Sequence, residues 1–138
     1  MSELHHRYAK EIYKLLKHHP AMGMTGKELA AKLKTDRRGV RYGMELCKRL
    51  AASHDRPDIP LQIVGYDPGR DAYFMAQNAE QSERIIRHLN KRVSEEIETL
   101  TALCSAHVER FGKPAPKAVQ ETLFKATDYQ KKMGLEAA

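Results

Sequence analysis

From Glu80 to Glu109 the chain places Ile86, Leu89, Val93, Ile97, Leu100, Cys104 and Val108 at steps of three or four, and neither Pro nor Gly interrupts before Gly112. That spacing is the signature of one helix face. Roughly thirty helical residues would reach ~45 Å, longer than a lone domain of ~75 residues is wide. The chain is therefore expected to divide into a compact domain over 1–76 and a helical extension over 77–138. The stretch from Lys113 onward opens Pro114-Ala115-Pro116 and then reads as one further short amphipathic helix, with Val119, Leu123 and Phe124 as its apolar contacts.

With 41% hydrophobic and 30% charged residues, the composition supports a modest core under a well-solvated surface. No stretch approaches the ~20 consecutive apolar residues of a membrane span. Met1 to Arg7 lacks the apolar core of a secretory signal. Cys47 and Cys104, the two cysteines, cannot build a disulfide scaffold and suit a reducing compartment. A cytoplasmic protein with no membrane partner is the expectation.

Within the first 76 residues, Tyr8, Ile12, Leu15 and Leu16 predict a helix from Leu4 to His19, ended by Pro20 and Gly23. Thr25-Gly26-Lys27-Glu28 is a capping box that opens a short second helix with Leu29, Ala30 and Leu33 inward. Asp36 is a good N-cap for a third helix, roughly Arg37 to Ala52. Val40, Met44, Cys47 and Ala51 form its buried stripe, flanked by Leu46 and Leu50. Gly39 and Gly43 weaken that helix by ~1 kcal/mol each relative to Ala, a cost that points to close packing. Ser53 to Pro60 reads as a loop, and Leu61–Val64 and Asp71–Met75 as strands of a short hairpin joined by turn-forming residues 65–70. The predicted class is mainly α with a small β-hairpin.

The net charge of +6 is unevenly placed. Residues 1–76 carry 14 basic and 9 acidic side chains, whereas residues 77–138 carry 10 and 9. Most of the excess lies between Lys27 and Arg49, where eight basic residues face Glu28, Asp36 and Glu45. A basic excess favours anionic partners without choosing among them.

Two helices joined by a tight turn and followed by a hairpin resemble the winged helix-turn-helix family, in particular the small bacterial and phage regulators. The likeness covers residues 4–76. The family's small residue in the first helix of the pair falls on Ala30, its turn glycine on Lys34, and its buried β-branched residue on Val40. The resemblance implies a winged helix-turn-helix over these residues, and the spacing beyond them adds a long C-terminal helix and a further short helix. The resemblance also implies sequence-specific binding of double-stranded DNA, with transcriptional regulation as the role.

On that likeness, Arg37, Arg38 and Arg41 would reach base edges, where an arginine can donate two hydrogen bonds to guanine. Tyr42 and Lys48 would lie along the phosphate backbone, with Thr25 and Lys27 at a helix start that can hold a phosphate. Lys34, Tyr66 and Arg70 complete the candidate contacts. Specificity from such a unit normally needs two copies, and Ile86, Leu89, Val93, Ile97 and Leu100 are the candidate dimerisation residues. Their seam is imperfect, because Asn90 and Glu96 interrupt alternative registers. A second reading is a protein-interaction adaptor of the same fold in a replication or phage-related complex.

Nothing in the chain argues for catalysis. His5-His6 and His18-His19 lack the i, i+4 partner and the Cys, Asp or Glu cluster of a zinc site. They read as solvated histidines, and the two cysteines as small core residues. No catalytic residue, metal ligand or cofactor is assigned.

Overall fold

The computed structural model describes residues 3–53 and 56–137. His54 and Asp55 of the expected loop lie outside the described residues, as do Met1, Ser2 and Ala138. The order is α1 (Glu3–His18), α2 (Gly26–Leu33), α3 (Arg37–Ser53), β1 (Val64–Asp67), β2 (Ala72–Met75), α4 (Ala79–Phe111) and α5 (Lys117–Ala137). The protein is thus mainly helical with a two-stranded antiparallel hairpin between helices. Among the described residues no helix is long and apolar enough to cross a membrane. The chain forms two units, 1–87 and 88–138.

The first unit is built on the crossing of α1 and α3. Ala9, Ile12 and Leu16 of α1 and Met44, Cys47 and Ala51 of α3 are all buried. Gly43 lies between them. A β-carbon there would sit 2.7 Å from Cβ of Tyr8 and 3.1 Å from Cδ1 of Ile12, so the helices meet where only glycine fits. Gly39 answers to a local neighbour instead: its added carbon would fall 2.2 Å from Oγ1 of Thr35. Burial of Cys47 pushes its thiol up to about 12, which leaves it an inert core residue. Among the described residues no polar side chain is buried, so apolar burial alone fills this core. Each large side chain in it contributes about 1.5–3 kcal/mol.

The helix ends follow the sequence closely. Oγ1 of Thr25 accepts from the Glu28 amide at 3.1 Å, and the Thr25 amide donates to Glu28 Oε1 at 3.2 Å. Asp36 Oδ1 accepts from the Gly39 amide at 3.0 Å and caps α3. Between the two helices Lys34 adopts the left-handed conformation, φ 55 and ψ 47. Its amide donates to the Ala31 carbonyl, and the Thr35 amide donates to that of Ala30. These two bonds close a Schellman turn, in which a lysine takes the position suited to glycine.

The hairpin departs from expectation. β1 runs Val64–Asp67 rather than Leu61–Val64, so Tyr66 and Asp67 are strand residues opposite Tyr73 and Ala72. The physical reason lies at the tip, where Asp67 Oδ1 accepts from the Gly69 amide at 3.0 Å and tightens the turn. Ladder pairing therefore extends to Asp67, while Leu61 is exposed. A third rung was not foreseen: Met24 and Tyr73 exchange backbone hydrogen bonds of 2.9 and 2.8 Å. Ile85, on the first turns of α4, packs on Gly65, where a β-carbon would come within 2.4 Å of its Cγ2. Two strands are marginal alone; these contacts supply the support. Ile59 of the preceding loop is also buried in the core.

In the second unit the half-buried positions of α4 are His88, Ser94, Ile97, Leu100, Cys104 and His107, and those of α5 whose side chains are described are Val119, Leu123 and Ala126. Phe124, expected as an apolar contact, is exposed, because it stands ~100° around the helix from Leu123 and off the face that Val119 shares. Ile86, Leu89 and Val93 are exposed as well.

Two substitutions test these packing arguments by chemical denaturation. Lys34→Gly should raise stability by about 0.5–1 kcal/mol, the relief of the left-handed lysine less the added chain entropy of glycine. Gly43→Ala should lower it by about 1–3 kcal/mol through overpacking against Tyr8.

Candidate functional site

The start of α2, the outer face of α3 and the inner side of the hairpin enclose an open cleft of about 850 Å³. Thr25, Lys27, Arg37, Arg38, Arg41 and Tyr66 line it, together with Gly26, Ala30, Val40, Asp71 and Tyr73. Four cations therefore face a single carboxylate. α3 buries Val40, Gly43, Met44 and Cys47, while Arg37, Arg38 and Arg41 are exposed on the flank of that stripe.

These arginines stand where a helix least favours them. The free amides of a helix start carry about half a positive charge, and a cation there costs some 0.3–1 kcal/mol. The first turn of α3 holds no acidic residue to compensate. Asp36 is engaged in the cap, and Glu45 pairs with Lys48 Nζ at 3.1 Å. Among the described residues no carboxylate forms an ion pair with Arg37, Arg38 or Arg41.

Tyr42 lies just outside the cleft lining. The guanidinium groups of Arg38 and Arg41 stand 6.0 and 5.6 Å from its ring centre. Hydrogen bonding from Arg38 and then Arg41, reinforced by their charge, holds its phenol below the usual tyrosine range. His5 of α1 stacks on the same ring at 5.1 Å. Tyr66 is the converse case: its hydroxyl donates to the Asp71 carboxylate, which with partial burial pushes the phenol up.

The remaining candidates have other neighbours. Arg70 lies outside the cleft lining; its Nε donates to Asp67 Oδ2 at 2.9 Å and its Nη1 to the Ala21 carbonyl at 2.8 Å. The Arg70 bond holds the Asp67 carboxyl below its usual range. Lys48 Nζ, besides its pairing with Glu45, sits 5.8 Å from the Tyr73 ring centre. Lys34 is exposed at the turn between α2 and α3.

Asp71, Tyr73 and His5 were not singled out from the sequence. Asp71 and Tyr73 enter through the hairpin register. His5 enters because it lies one turn before Tyr8, the residue that packs on Gly43 beside Tyr42. His5 and His6, read as solvated, are half-buried, and Nδ1 of His6 lies 3.3 Å from Arg56 Nη1; His18 and His19 are exposed. No three metal-binding side chains come together among the described residues.

Comparison of the chain with protein-family models, with curated proteins and with solved structures finds no match.

In an absorbance titration Tyr42 should ionise below the usual tyrosine value near 10, and Tyr42→Phe should remove that step. Tyr13 and Tyr66 should ionise above it, since burial raises the first and the Asp71 bond the second. Arg37→Glu should stabilise the fold by about 0.3–1 kcal/mol by reversing the charge at the start of α3, measured by thermal or urea unfolding.

Proposed function

We propose that this protein binds double-stranded DNA sequence-specifically through a winged helix-turn-helix, and acts as a homodimeric transcriptional regulator. One observation carries the reading: Arg37, Arg38 and Arg41 line an open cleft at the start of α3, with no carboxylate in an ion pair with them among the described residues. Cations held against a helix's positive end await an anion. A phosphate-bearing duplex is an anion of the right extent, and a helix start is the part of such a motif that reaches base edges.

The roles follow from position. Arg37, Arg38 and Arg41 donate to guanine O6 and N7, each good pair being worth ~1–3 kcal/mol of discrimination. Thr25 and Lys27 hold a phosphate at the start of α2, where the amides of Gly26 and Lys27 add to the attraction. Tyr42, flanked by Arg38 and Arg41, lies along the backbone. The left-handed turn at Lys34 supports the family likeness, since it is the geometry for which related turns use glycine. The adaptor reading would gain if Asp36 or Glu45 covered the arginines, and both are engaged elsewhere. The exposed apolar side chains of Ile86, Leu89 and Val93 support a homodimer.

The test begins with selection of bound fragments from random duplex DNA, followed by electrophoretic titration. Arg37→Ala and Arg41→Ala should each abolish preference for the selected site while leaving the circular dichroism unchanged. Affinity of the unaltered protein should fall steeply with salt, with a log–log slope of about −0.9 per phosphate contacted. Wild-type binding by both variants would overturn the assigned interface.

A further inference from the structure

The second unit has no core of its own: none of its described side chains is buried. Helices draw most of their stability from packing an amphipathic face. Here Leu89, Val93 and Leu103 lie along one stripe of α4 and remain 51%, 49% and 63% exposed.

Along this part of α4 the charges are sorted by sign, and of them Arg92 and Glu96 border the stripe. Lys91 and Arg92 come first, then Glu95, Glu96 and Glu98, with no opposite charge inside either block. Within one helix, Lys91 with Glu95 and Arg92 with Glu96 stand at i, i+4 in the weaker order, cation before acid. Neither pair forms, and among the described residues none of these five side chains makes an ion pair in its own chain.

We infer that this face is a seam with a second copy of this chain, the two α4 helices running antiparallel about an axis beside Ser94. The inference rests on the homodimer in the proposed function and specifies its geometry. Positions 92 and 96 lie equally far from Ser94, so Arg92 of each copy meets Glu96 of the other, twice by symmetry. Leu89 then stands opposite position 99, beside Leu100 of the second copy. Parallel pairing would instead set Arg92 beside Arg92 and Glu96 beside Glu96.

The full-length chain is tested by sedimentation equilibrium at low salt, where it should be dimeric. Arg92→Glu and Glu96→Arg should each weaken the dimer by about tenfold or more, since each sets like charges together at both ends of the axis. The double variant should recover wild-type association to within about threefold. Glu98→Lys, an equal change of charge on the side away from the seam, should leave association unchanged. A monomeric wild type, singles that associate normally, or a double variant that is not rescued would each overturn the antiparallel seam. Band shifts with the selected duplex report contact through α3 separately, so failure of this pairing is distinguishable from failure of DNA binding.

Discussion

The close crossing of α1 and α3 at Gly43 governs the rest of the first unit. Because no side chain stands between the helices there, Tyr8 and Ile12 reach the surface of α3 and its stripe of Met44, Cys47 and Ala51 closes over α1. That contact fixes how α3 is rotated about its axis. With Val40, Gly43 and Cys47 inward, the helical period turns positions 38 and 41 away from the core, and Arg37 is exposed as the first residue of the helix. The presentation of three arginines is thus a by-product of how the core is filled, and no separate device is needed to aim them.

Features whose cause lies within a few residues were readable from the sequence. Thr25 and Glu28 form their capping box, Asp36 caps α3, and the stripe on α3 is buried as its spacing indicates. The geometry at Lys34 was open from the sequence, and the residue takes the left-handed form. Features missed from the sequence join distant residues. The Met24–Tyr73 rung and the bond from Arg70 to Ala21 link segments about fifty residues apart, and neither leaves a periodic trace. β1 lies three residues beyond its expected place because Asp67 works both as a strand residue and as the anchor of the turn, whereas β2 lies within one residue of its expected place. Asp71 and Tyr73 line the cleft from the second half of the hairpin. In α5, Phe124 follows the periodic Leu123 in sequence but stands ~100° from it around the helix, so hydrophobic type without angle does not place it on the half-buried face.

The two units handle charge differently. In the first, like charges gather at the start of α3 and raise its energy, a local conflict of the kind that marks functional surfaces in otherwise consistent sequences. In the second, charges of both signs are present in nearly equal number but segregated along α4, so the helix carries a pattern that its own chain does not satisfy. On the readings proposed above, the first arrangement suits an anion and the second a complementary helix. Net charge, which is nearly zero in the second unit, distinguishes them poorly; the order of charges along the chain does so well.

The bond from Arg70 to the Ala21 carbonyl, with its ion pair to Asp67, ties the hairpin tip to the segment between α1 and α2. One wall of the cleft is thereby anchored to the body that carries the opposite wall. A molecule entering the cleft meets groups already in position, so the conformational freedom of that wall is surrendered on folding and not again on association. Affinity then depends on what the arginines meet, with little offset from ordering the hairpin.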